Sequence, residues 1–193
     1  MTKVLGDIER YWKPTCARVT PAFLIVFIIG CAAVIPNRAP LGQPFPGVQG
    51  TSLSGVDTRL PDDCGGALCV LMVGYTRASQ FDIDRWLLGL NQLSTPVRVI
   101  EVPTIPGLFP GLFAEQIDGG MRRGIPREDW PAVVTLYDDA ERVTAFLGTE
   151  GKDNARVVLL DPQGWVIWVH DRGYSAALVS ELDREVRAQS VND

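Results

Sequence analysis

The sequence predicts an α/β domain built on a mixed sheet with helices on both faces. Leu68-Cys69-Val70-Leu71-Met72-Val73 is an uninterrupted apolar run of strand length, the pattern of a strand covered on both sides. Ile83, Trp86, Leu87 and Leu90 follow at i, i+3, i+4 and i+7, one apolar helical face, and Val97 to Val102 forms the next strand. Together they make a βαβ unit with a right-handed crossover. Near the C-terminus, Arg156-Val157-Val158-Leu159-Leu160 and Trp165-Val166-Ile167-Trp168-Val169 flank Asp161-Pro162-Gln163-Gly164, whose residue types favour a tight antiparallel turn.

The other elements follow in order. Thr51 to Gly55 reads as a turn leading to an edge strand, Val56 to Leu60. Ser79-Gln80-Phe81-Asp82 matches a capping box at the start of the Trp86 helix, with Asp in the acidic place. Pro103, Pro106 and Pro110 break regular structure until Phe113, Ile117 and Met121 suggest a helix ending near Arg122-Arg123-Gly124. Pro126 and Pro131 bracket a short helical turn, and Ala132 to Tyr137 reads as a strand. Asp139 then caps a helix carrying Val143, Phe146 and Leu147, and Ser175 caps a last one carrying Leu178, Leu182 and Val186. Trp165 and Trp168 fall on opposite sheet faces, one toward the core and one needing a cover.

Ahead of the domain lies a membrane-targeting segment, residues 1–35. Its uncharged run from Ala22 to Ile35 is shorter than the roughly 20 residues of a spanning helix and suits a signal-peptide core. Lys3, Arg10, Lys13 and Arg18 precede it, the side that stays in the cytoplasm, so the domain faces outward. Ile28-Ile29-Gly30-Cys31 resembles the bacterial lipobox, which implies cleavage before Cys31 and lipid on its sulfur; an uncleaved anchor gives the same topology. Residues 36–50, with four prolines and three glycines, read as an extended Pro/Gly-rich tether, and 51–193 as the folded domain.

Bulk properties exclude several functions. The 193 residues carry a net charge of -5 with no long run of either sign, which disfavours nucleic acid as a partner. The chain has a single histidine, His170, and four cysteines, Cys16, Cys31, Cys64 and Cys69. One histidine does not make a multi-histidine site, so no metal and no cofactor is expected.

From about Phe45 to Val186 the chain resembles the thioredoxin-like superfamily, in its peroxiredoxin-like or lipoprotein-thioredoxin form. The likeness is carried by Ser52-Leu53-Ser54-Gly55, Val70-Leu71-Met72-Val73 and Leu159-Leu160-Asp161-Pro162-Gln163-Gly164. Within that superfamily it is similar to the mitochondrial ATP synthase assembly factor family that chaperones Fo subunit 6. The shared stretches are Gly74-Tyr75-Thr76-Arg77 before the Trp86 helix, Val99-Ile100-Glu101-Val102, and Asn154 through Leu160-Asp161 to Ile167-Trp168. The resemblance implies that a redox member would carry Cys-x-x-Cys at the start of that helix, where the helix N-terminus favours a thiolate. Here those positions hold Ala78 and Phe81, or Ser79 and Asp82 one residue along, and no sulfur is present. A cis-proline faces the motif in redox members, just before the hairpin, and Asn154-Ala155-Arg156 stands there instead.

Cys64 and Cys69 sit before and within the first core strand, on the wrong side for the motif helix. They read as a structural disulfide, as two free buried thiols, or as a redox pair. A copper site from Cys64, Cys69 and His170 would imitate thioredoxin-like copper chaperones, which place their cysteines after the strand. Ser79 has no histidine nearby in sequence, which disfavours a nucleophilic serine. Arg77 projects from the loop where the superfamily's site opens, and arginine is favoured at binding surfaces.

Two functions follow. The first is a membrane-tethered, redox-inactive binding or assembly module, on the periplasmic side of a bacterium, that holds a membrane-associated protein through Tyr75, Thr76, Arg77 and Ser79. The second is an extracytoplasmic thiol-disulfide oxidoreductase or peroxidase using Cys64 and Cys69.

Overall fold

A computed structural model describes residues 34–107 and 113–190. The apolar run up to residue 33, with Cys31 and its proposed lipid, lies outside the described residues. Among those described, no helix is long and apolar enough to cross a membrane.

The central strand β3 (Cys69–Gly74) is buried at every position, as its apolar run requires. It pairs in parallel with β4 (Arg98–Pro103), with Leu71 opposite Ile100, and antiparallel with β6 (Arg156–Leu160), with Leu71 opposite Val158. β6 turns back into β7 (Val166–His170), so the main sheet runs β4-β3-β6-β7. The turn closes as its residue types predict: Gly164 N–H donates to Asp161 O (3.0 Å), while one Asp161 carboxylate oxygen accepts from Gln163 N and Trp165 N. A second sheet has the order β2-β1-β5, from β1 (Val48–Ser52), β2 (Asp57–Leu60) and β5 (Val134–Thr135). Two isolated parallel bridges, Glu101 with Val133 and Thr104 with Leu136, join β4 to the β5 region.

Period-two alternation on β3 feeds two cores. Val70 and Met72 meet Ile83, Trp86 and Leu90 of α1 (Ser79–Gln92) and Val179, Leu182 and Val186 of α4 (Ala176–Ser190). Cys69, Leu71 and Val73 meet Val143 and Leu147 of α3 (Ala140–Leu147) together with Phe45, Val48 and Leu60. Helices therefore cover both faces, and the small sheet shares one face with α3. Each fully buried Leu or Val contributes about 1.5–3 kcal/mol relative to exposure. Gly89 lets α1 and α4 approach, since a Cβ there would sit 2.9 Å from a Val179 methyl. Trp168 packs beside Trp86 (6.1 Å between rings) and donates its indole N–H to Glu181, whereas Trp165 stays 45% exposed.

The helix around Ile117 forms as α2 (Ala114–Gly124), although Asp118 is its buried residue and Phe113 is exposed. Tyr137 holds it by donating its hydroxyl hydrogen to Asp118 Oδ1 at 2.7 Å.

Residues 36–50, expected as an extended tether, lie along the domain. Arg38 N donates to Leu147 O, Gly42 N to Val166 O and Phe45 N to Gly164 O, and β1 already begins at Val48. Prolines bar a helix or a central strand, but they leave a chain free to lie along the domain wherever carbonyls await donors. The buried Phe45 ring, edge-on to Phe146 at 5.6 Å, anchors the segment. Gly148 makes the close approach possible: its φ is +84°, and a Cβ there would overlap Asn37 Cα and the Pro36 carbonyl.

Candidate functional site

In a parallel pair the ends of β3 and β4 lie together, and antiparallel β6 begins at that same end, with Val73 opposite Arg156. The loop Tyr75–Ala78 and the start of α1 therefore face residues 154–156. This is the end at which the superfamily resemblance places a cysteine motif and a cis-proline.

The end is closed by internal bonds. Asp82 sits one turn into α1, buried, with Oδ2 accepting from Ala155 N at 2.9 Å and Oδ1 from Tyr174 N at 2.7 Å. It thus ties α1 to the strand start of β6 and to the loop before α4. This corrects the capping-box reading: Ala78 is the N-cap residue with no side-chain cap bond, and Asp82 faces the sheet instead of its own helix end. Ser79 is inside the first turn, and its hydroxyl donates to Thr76 O at 2.6 Å. The Thr76 hydroxyl in turn donates to Asp153 at 2.9 Å.

Arg156 is the feature that the sequence reading missed. It is fully buried, and its guanidinium donates to Asn154 O (3.0 Å), Gly151 O (3.3 Å), Asn37 Oδ1 (3.1 Å) and Glu150 O. No carboxylate is among these acceptors, so carbonyl dipoles take the place of a counter-charge for this buried cation. Its carbon centre lies 5.3 Å from the Tyr75 ring centroid, a cation–π contact. Burial pushes the Tyr75 hydroxyl well above its ordinary value, with Arg156 opposing part of that rise. Among the described residues, the Tyr75 hydroxyl and Arg156 Nε have no hydrogen-bond partner.

Of the residues expected to touch a partner, Arg77 is exposed, Thr76 and Tyr75 are half-buried, and Ser79 is buried. Phe81 presents the largest apolar surface near the loop, at 70% exposure. Ala78, Ser79, Phe81 and Asp82 occupy the motif region, and none can form a thiolate.

The thiols lie at the other end of β3. Cys64 ends a 3-10 turn (Asp62–Cys64) and Cys69 opens the strand; both are buried, free thiols. Cys69 and Gly74 lie five residue steps apart along β3, roughly 17 Å at ~3.3 Å per residue. The Cys69 thiol hydrogen-bonds to Cys64 and holds it below its ordinary value, with help from the Arg98 guanidinium; the same bond and burial push Cys69 far up. Arg98 is fixed there by donating to Asp63 O at 2.7 Å. His170 belongs to a different neighbourhood, stacked with Trp168 and near Trp86. Its register partner is Val157, whereas that of Cys69 is Leu160. No group of three metal-ligating side chains occurs among the described residues.

No protein-family model and no curated protein matches the sequence. Solved structures do match. The thioredoxin domain of a thiol-disulfide oxidoreductase from Bacteroides vulgatus aligns over 77% of this chain and 99% of that one, at 18% identity and a TM-score of 0.51. A SCO1/SenC family lipoprotein from Bacillus anthracis covers 80% and 99%, at 16% identity and a TM-score of 0.54. A DsbE-type thiol:disulfide interchange protein from Chlorobium tepidum covers 79% and 99%, at 16% identity and a TM-score of 0.52. At such identities the likeness is one of fold: this chain has the thioredoxin-like fold.

Proposed function

We propose that the chain is a thioredoxin-like binding or assembly module, carried on the outer face of a bacterial membrane by its N-terminal segment. It engages a protein of a membrane-associated complex through the surface around Arg77 and Phe81. The observation that carries this reading is Asp82: where a redox member needs reactive sulfur, this chain uses a buried carboxylate to tie the helix to Ala155 and Tyr174. The fold is kept while its usual chemistry is replaced by internal bonds, so its exposed loop is free for recognition. The resemblance to the assembly factor family makes a membrane subunit of ATP synthase the first partner to test.

Crosslinking in native membranes with Arg77→Glu and Phe81→Asp tests the reading, because both side chains are exposed and neither change disturbs the core. Loss of a specific crosslinked protein supports it. Recovery of the same proteins at wild-type yield from both variants sinks it.

A second reading has its own observation, the two buried free thiols Cys64 and Cys69 at one end of β3 with Arg98 fixed at Asp63 nearby. As a thiol-disulfide oxidoreductase, the Cys64 thiolate would attack a substrate disulfide, releasing one substrate sulfur as thiolate and forming a mixed disulfide. Deprotonated Cys69 would then displace the second sulfur, leaving a Cys64–Cys69 disulfide and a fully reduced substrate. Two electrons pass from the pair to the substrate. Reduction of oxidised glutathione that disappears in Cys64→Ser supports this reading, and an equal rate in wild type and variant removes it.

A further inference from the structure

A second feature lies where the two sheets part. β4 is paired to β3 along one edge, but on the other it meets the β5 region only through the two isolated bridges at Glu101 and Thr104. Between this edge, α1 and the 3-10 turn Arg127–Ala132 opens a cleft of about 390 Å³. That volume falls within the roughly 300–1,000 Å³ of ordinary ligand sites. Its lining is apolar at Leu87, Leu88, Val99 and Ala132 and polar at Asn91, Glu101 and Asp129. Leu88 is 58% exposed, and Phe81, seven residues earlier on the same helical stripe, extends the apolar surface toward the Arg77 loop.

The charge of the cleft is one-sided. Glu101 is only 9% exposed, and one of its oxygens accepts from Gln80 Nε2 at 3.1 Å. The same Gln80 amide donates to Asp84 Oδ1 at 3.0 Å, which brings a second carboxylate alongside. Burial pushes the Glu101 carboxyl up, and Asp84 and Asp129 push it further. The ion pairs among the described residues are Arg142–Asp139, Arg172–Asp171 and Arg187–Asp183, and none of Glu101, Asp84 and Asp129 takes part. A buried carboxylate flanked by two more, with no cation paired to it, is complementary to an incoming positive charge.

Building on the partner-binding reading, we propose that this cleft docks a basic amphipathic segment of the partner. Apolar side chains of that segment cover Leu87, Leu88 and Val99, and a lysine or arginine reaches Glu101 between them. A second copy of this chain is a poor occupant, because it would bring a net charge of -5 to a surface already negative.

The test uses two fluorescent synthetic peptides with leucines at i, i+3, i+4 and i+7. One carries lysine and the other glutamate at the flanking positions, and binding to the full chain is read by anisotropy. The lysine peptide is expected to bind at least tenfold tighter than the glutamate peptide. Glu101→Gln and Leu88→Asp should each weaken it about tenfold, equivalent to ~1.4 kcal/mol. Glu141→Gln, a charge change on exposed α3, should not. Equal binding of the two peptides, or indifference to both cleft variants with circular dichroism unchanged, overturns the proposal. So does a dimer in sedimentation that Leu88→Asp dissolves, which would assign the cleft to a second copy. Partner crosslinking lost in Phe81→Asp but kept in Glu101→Gln removes the cleft alone, whereas crosslinking kept in every variant removes the partner-binding reading as well.

Discussion

Asp82→Asn is a near-isosteric change, so it leaves no cavity and isolates the closure of the sheet end. In the wild type two carboxylate oxygens accept from two backbone amides, Ala155 N at 2.9 Å and Tyr174 N at 2.7 Å. Asparagine offers one oxygen and one NH2. One amide keeps a neutral acceptor, and the other faces a donor. Losing a hydrogen bond to a charged group costs about 1.5–3 kcal/mol, and downgrading the second to a neutral bond costs about 1 more. The expected loss is therefore about 2.5–4 kcal/mol, a large part of a domain stability of roughly 5–15 kcal/mol. Chemical denaturation measures it as a lower midpoint at unchanged slope. Hydrogen exchange reads the same event locally, since the amides of Ala155 and Tyr174 should lose protection before those of β3. A variant within about 0.5 kcal/mol of wild type, a span typical of changes at neutral surface sites, with both amides still protected, would refute the claim that Asp82 holds this end closed.

Two further outcomes follow from titrating groups. The folded pKa of Glu101 lies above its ordinary 4.5, so the folded chain binds this proton more tightly than the unfolded chain, and the stability that goes with it is present below pH 4.5 and falls as pH rises toward the folded value. Glu101→Gln lacks that loss, so denaturation midpoints of variant and wild type should move apart in the variant's favour from pH 4.5 to 7; a constant difference would contradict the assignment. At the other end of the sheet, Arg98 and the Cys69 hydrogen bond hold the Cys64 thiol down while Cys69 is pushed far up. Alkylation mapped by mass spectrometry should mark Cys64 first, and Arg98→Ala should shift its pH profile upward; preferential labelling of Cys69 would reverse the assignment.

Elements written in a single short stretch of chain were legible in the sequence. The β3 run, the α1 stripe and the Asp161–Trp165 turn need only local pattern, and the structure places each within a residue or two of expectation. What escaped is long-range. Asp82 looks like a capping residue because the sequence shows Ser79 three positions before it, whereas its true partners are 73 and 92 residues away. Residues 36–50 look like a tether because proline and glycine signal missing helix and strand, yet their amides are satisfied by carbonyls of residues 147, 164 and 166. Arg156 opens a strand and reads as a boundary charge; only the fold shows four acceptors converging on it. The Glu101 cleft had no local signal, since an isolated glutamate in an apolar strand reveals neither Asp84 nor Asp129 beside it.

The missing cysteines and the missing proline read in the sequence as two separate departures from a redox thioredoxin. The Asp82–Ala155 bond makes them one. A proline at residue 155 has no amide hydrogen, so it would remove the donor that Asp82 Oδ2 accepts from. A cysteine in place of Asp82 would in turn leave the amides of Ala155 and Tyr174 buried without their acceptor. Even made together, the two changes leave the Tyr174 amide without the acceptor that Asp82 gives it. Thiol chemistry built on position 82 therefore meets a barrier, because the helix and the facing loop share one buried hydrogen-bond set. Against that barrier the exposed side chains, Arg77, Phe81 and Leu88, are free to vary without cost to the core. The buried layer fixes the shape of the loop, and the exposed layer is the part of this end that a substitution can change without disturbing it.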